Sequence, residues 1–144
     1  MTSVIGNKTL DFVRSAVANA SAGDAPFFVY VAPHAPHMPT TPSPWYMDTP
    51  LPTQRAPRTP AYNASGADKQ WITASLAPLD ARMEAGIDHI YTLRHRALLS
   101  VDDIVRELMV ALQPVLDETY IFYTSDHGYN LGTFRCALWH PRAA

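Results

Sequence analysis

The sequence predicts an α/β fold in which parallel strands are joined by crossover helices, and three observations carry that prediction. Two continuous apolar runs of strand length, PFFVYVAP at 26–33 and TYIFYT at 119–124, are dominated by β-branched and aromatic residues. The segment between them shows helical apolar spacing, and a shorter helical pattern precedes the first run. A strand, a long helical connection and a second strand favour a right-handed crossover between parallel neighbours. Two strands that are apolar on both faces do not make a stable sheet, so the sheet is expected to be incomplete and the chain to be part of a larger domain or assembly.

Each element has a local reason. From Asn7 to about Ala20, Leu10, Val13 and Val17 recur at spacings of three and four, which predicts an amphipathic helix with Asn7 as its N-cap. Ser21 to Pro26, with Gly23, ends it, and the first strand follows. Residues 38–66 hold most of the prolines together with Trp45, Tyr46 and Tyr62; without a sustained period they read as a long ordered loop. Arg55 and Arg58 in that loop are expected to be solvated. From about Pro78 to Gln113 the pattern turns helical, with Val101, Ile104, Val105, Leu108 and Leu112 on one stripe and a break expected near Gly86. Asp102 and Asp103 beside Arg106 read as a solvated or helix-pairing group, not as catalytic carboxylates. Pro114 stops the helix before the last strand.

Composition narrows the functions. With 47% hydrophobic and 17% charged residues the chain is too apolar to be disordered. A net charge of −2 gives no electrostatic basis for nucleic-acid binding. No run approaches the length of a membrane helix, and the first 25 residues lack the apolar core of a secretory signal. The single Cys136 excludes an internal disulfide. Sequons at Asn7, Asn19 and Asn63 are usable only if the chain enters the secretory pathway.

Both strands end in chemistry. The second runs into Ser125-Asp126-His127-Gly128, and carboxyl ends of parallel strands open into the crevice where α/β sheets bind ligands. Asp126 is a natural hard-cation ligand, and Gly128 permits a sharp exit. The first strand ends in Pro33-His34-Ala35-Pro36-His37, two imidazoles in a proline-stiffened loop. These read either as surface histidines or as part of a site, and the parallel with Asp126-His127 favours the site.

PFFVYVAPHAPHMP, ADKQWI, RALLSVDDIVRELMVAL and TYIFYTSDHGYNLGTF, in this order and at these intervals, resemble the sulfatase family, in the branch of N-acetylglucosamine-6-sulfatases and extracellular heparan sulfate endosulfatases. The resemblance runs from about Asn7 to Phe134. It implies that residues 1–134 are the central part of a catalytic domain with an alkaline-phosphatase-like α/β sandwich, followed by a divergent tail, 135–144. It further implies a bound calcium ion and hydrolysis of 6-sulfate esters on glucosamine units of heparan-type glycosaminoglycans. The compartment implied is the lysosome, Golgi or extracellular space. Carried over residue by residue, Asp126 and His127 match the pair that contributes to the calcium site, and His37 matches the histidine that contacts the substrate sulfate, with His34 in the same loop. A protonated His37 can hydrogen-bond a sulfate oxygen or the leaving oxygen, where negative charge develops.

The chain also departs from the family. Sulfatases attack with a formylglycine made from a Cys/Ser-x-Pro-x-Arg motif, and no such motif occurs in these residues. Cys136, in Phe134-Arg135-Cys136-Ala137-Leu138, has neither the proline nor the arginine. The other calcium-binding aspartates and the lysine expected after Gly-x-Phe are missing, and Gln70 stands where the relatives have histidine. The chain alone is therefore expected to be inactive. Two alternatives stay open: a non-catalytic glycosaminoglycan- or partner-binding remnant, and another hydrolase of the alkaline phosphatase superfamily.

Overall fold

The computed structural model describes residues 1–23 and 25–137. Among the described residues there are three α-helices, α1 (Thr2–Ser21), α2 (Trp71–Ala74) and α3 (Ala81–Leu112), with 3₁₀ turns at Pro44–Tyr46 and Gln113–Glu118. The chain divides into two compact units. One comprises Met1–Thr49 and Arg94–Thr124, the other Pro50–Leu93 and Ser125–Ala144, described through residue 137. α3 contributes residues to both.

In the first unit, α1 buries Gly6, Leu10, Val13 and Val17, so the apolar stripe of the sequence is the buried stripe. The helix begins five residues before the expected N-cap: Asn7 is an exposed residue inside it, not its cap. Gly6 explains the extension. A Cβ there would lie 2.6 Å from Ile104 Cγ1, so the missing side chain lets α1 approach α3 closely enough to hold its first turns. Val13, Val17 and Leu112 form the core of this unit, with Phe27, Val29, Leu108 and Leu116 packed against it.

α3 is continuous over 32 residues, about 48 Å, without the break expected at Gly86. Gly86 is exposed and nothing lies near it, so its cost is the ordinary helical glycine penalty of about 1 kcal/mol, spread over a long helix. Asp80 caps the start, its Oδ1 accepting from Met83 N at 2.7 Å. Ala97, Val101, Ile104 and Leu112 are buried, whereas Val105, assigned to the same stripe by spacing, is 39% exposed.

The expected sheet is not seen: no strand forms among the described residues, and the sole bridge is an antiparallel one joining Tyr62 and Thr133 in the second unit. Nor are the two apolar runs buried. Phe27 and Val29 pack on the core while Phe28 and Tyr30 are 85% and 82% exposed, a two-residue alternation that covers one face only. In the second run Tyr120, Ile121, Phe122 and Tyr123 are all exposed, Tyr120 at 90%. A strand's backbone is satisfied by its neighbours, and without neighbours the composition alone does not produce a ladder.

The second unit is built around Ala56, Leu79 and Ile87, with Tyr62, Met83, Tyr91, Leu131 and Ala137 against them. Arg135 is part of this body, its Nη1 donating to the Leu76 carbonyl at 3.1 Å. Residues 138–144 of the expected tail lie outside the described residues.

Candidate functional site

The histidine loop belongs to the first unit. His37 N donates to the His34 carbonyl at 2.9 Å, closing a turn around the cis Ala35–Pro36 bond, and Met38–Pro39 is also cis. The turn brings the two imidazoles together, with ring centroids 5.3 Å apart. Both rings are exposed. His37 Nδ1 lies 2.7 Å from the Met38 carbonyl, and since a carbonyl only accepts, that nitrogen carries the proton. Nε2 is left to address a ligand.

α3 braces both this loop and the segment after it. Arg94 Nη1 donates to the Pro36 carbonyl at 3.0 Å, and Ser43 Oγ meets Ser100 Oγ at 2.6 Å. Nothing in the periodicity marks Arg94 as a loop support, because the contact spans 58 positions. Asp103 pairs with Arg106 one turn on, as expected, and also accepts from Tyr46 Oη at 2.6 Å, which ties the aromatic loop to the helix. That bond holds the Tyr46 phenol above its ordinary pKa.

Asp126 and His127 belong to the second unit, where Ser125 Oγ donates to the His127 carbonyl and His127 N donates to Asp126 Oδ1 at 3.0 Å. His127 Nδ1 lies 2.8 Å from the Gly128 carbonyl and therefore donates, while Nε2 sits 3.5 Å from Asp126 Oδ2. The two side chains are thus brought together, and both are exposed. His37 and His127 each spend Nδ1 on a local carbonyl, which fixes the ring; Nε2 of His127 then faces Asp126.

Arg58 differs from expectation. It is not a solvated surface arginine: it forms a two-pronged pair with Asp88, at 2.9 and 2.8 Å, and stacks 4.0 Å from the Tyr62 ring centroid. The residues between Asp88 and Arg58 are too many for any local pattern to pair them. Arg55 is exposed, as expected. Gln70 caps α2, its Oε1 accepting from Ile72 N at 3.3 Å. Cys136 is a free, partly exposed thiol whose carbonyl accepts from Gly132 N.

Residues 3–141 match the family model described as Sulfatase. The chain belongs to the sulfatase family. Its relatives include N-acetylglucosamine-6-sulfatases of Bos taurus and Homo sapiens, each 36% identical over 137 residues and 93% of this chain. A Drosophila melanogaster relative, "Extracellular sulfatase SULF-1 homolog", is 34% identical over 134 residues, covering 91% of this chain and 12% of its own length. The chain spans about a quarter of the N-acetylglucosamine-6-sulfatases it matches, 23% of the bovine and 24% of the human protein. No solved structure matches it. Membership implies the alkaline-phosphatase-like fold.

The family also implies calcium, and the donor set tests whether these residues fit it. Calcium takes six to eight oxygen ligands, and Asp126 supplies one carboxylate. Among the described residues no group of three or more His, Cys, Asp or Glu side chains could hold a metal ion. Asp126 and His127 do not by themselves make a calcium shell.

Proposed function

We propose that residues 1–134 are the central part of a sulfuric ester hydrolase catalytic domain, with a divergent tail at 135–144, acting on 6-sulfated glucosamine units of heparan-type glycosaminoglycans. The observation that carries this reading is the family match over nearly the whole chain together with 36% identity to N-acetylglucosamine-6-sulfatases. In this reading the imidazolium form of His37, with His34 beside it, donates Nε2–H to a sulfate oxygen while Nδ1–H stays on the Met38 carbonyl; the exposed turn supports that role. Asp126 and His127 contribute two of the ligands of a calcium site whose remaining ligands are not among the residues described. The compartment is the secretory pathway, in keeping with the word "extracellular" in the Drosophila relative's name.

The nucleophile motif Cys/Ser-x-Pro-x-Arg is not found in these residues, and the chain alone is inactive in this account. Incubated with calcium and either an aryl sulfate or a glucosamine 6-sulfate, it releases no sulfate; calcium-dependent turnover would contradict this. The missing motif also favours a second reading, a non-catalytic remnant that binds glycosaminoglycan through the histidine loop. Retention on a heparan sulfate column without hydrolysis, lost in His37→Ala, supports it.

A further inference from the structure

The three sequons are not equivalent in the fold. Asn63 sits at a left-handed φ of 52°, where its Oδ1 accepts from Leu79 N at 2.8 Å and its Nδ2 donates to the Leu79 carbonyl at 3.4 Å. Its backbone N donates to the Gly132 carbonyl at 2.9 Å. This amide is a clamp between two chain segments, and Leu79 is buried against it. A sugar on Nδ2 would displace that segment. Asn7 and Asn19 are exposed on α1.

Asn19 has a further feature. It lines an open apolar pocket of about 290 Å³ together with Phe12, Ala16, Pro26 and Phe27. Phe12 lies seven residues earlier, two helical turns away on the same face, and is 51% exposed. A pyranose presents a face of C–H groups that packs on an aromatic ring, and burying Phe12 removes apolar surface from water. The sequon supplies the occupant, since a sugar on Asn19 is tethered at the pocket's edge.

We propose that α1 carries N-linked glycans at Asn7 and Asn19, that the first sugar at Asn19 covers the Phe12–Phe27 pocket, and that Asn63 is a structural clamp which accepts none. This rests on the secretory reading above. In the transfer, Nδ2 of the asparagine attacks the anomeric carbon of a lipid-diphosphate-linked oligosaccharide. The new C–N bond forms as the C–O bond to diphosphate breaks, the lipid diphosphate leaves with the bonding pair, and the amide loses one proton to a base of the transferase.

The test expresses the full chain behind a cleavable signal peptide in eukaryotic cells. The secreted folded fraction is then deglycosylated in heavy-oxygen water and mapped by mass spectrometry. Heavy-oxygen aspartate is expected at positions 7 and 19 and none at 63. No label at Asn19, or label at Asn63, overturns the assignment. The native full-length protein isolated from its source cells checks the compartment separately, and absence of label at all three sites there, with the signal-driven product labelled as expected, overturns the secretory reading alone. For the pocket, Ser21→Ala removes the sequon without touching Asn19 and is expected to lower Tm by about 2–4 °C. In a Phe12→Ala background the same change has no effect. An equal Tm for wild type and Ser21→Ala overturns the pocket contact.

Discussion

Arg58 and Asp88 hold the proline-rich loop to α3 through side chains that are 21% and 26% exposed, and Asp88 also accepts from Ala56 N at 2.9 Å. Asp88→Ala strips three donors of their partner and is expected to cost roughly 1–3 kcal/mol, read from urea unfolding. Arg58→Lys keeps the charge but loses the planar fork and the stack on Tyr62, so it too destabilises, by about 1 kcal/mol. Gly132 adopts a φ of 91° with the Tyr62 ring against it, and Gly132→Ala is expected to cost roughly 2–4 kcal/mol from strain and overlap together. Two phenols couple stability to pH. The bond to Asp103 raises Tyr46 and burial raises Tyr62, both from the ordinary value of 10.0. Their folded pKa values exceed their unfolded ones, so the stability they contribute is complete below pH 10.0 and declines as pH rises through the folded values. Unfolding curves at neutral and alkaline pH should therefore converge in a Tyr46→Phe, Tyr62→Phe double variant. None of these contacts was legible beforehand, because each joins residues separated by a stretch of chain that only the folded path closes.

Helices and strands differ in how much of their cause is local. α1 and the Val101–Leu112 part of α3 follow directly from apolar spacing, since a helix satisfies its own backbone and its buried stripe is written every three or four residues. Gly6 and Val105 show the limit, because which borderline residue is buried depends on the helix opposite. The two apolar runs depend wholly on neighbours, and their composition identified them without producing a sheet. TYIFYT has no charge and exposes four consecutive large apolar side chains, the character of a segment that pairs with another copy. The chain in isolation is expected to self-associate with concentration in sedimentation velocity, and Phe122→Lys to shift it toward monomer. Identical profiles for the two would mean that another surface drives association.

At the scale of the molecule, the sulfatase motifs fall on the ends of the two apolar runs, and each pair of candidate residues is ordered within its own unit. The pairs were legible because their chemistry is local in sequence: His34 with His37, Asp126 with His127. The supports were not, and Arg94 under the Pro36 carbonyl is an instance. Nor does any local pattern supply a calcium shell, which needs oxygens from several segments. The reading rests on the family match, and the proposed sulfate contact at His37 is the part of it that a binding measurement on this chain reaches. Calorimetric titration of a 6-sulfated glucosamine oligosaccharide into the wild-type chain and into His37→Ala tests that most directly. Saturable binding that weakens at least tenfold, about 1.4 kcal/mol, in His37→Ala is the outcome predicted. Equal affinity of the two proteins would contradict it.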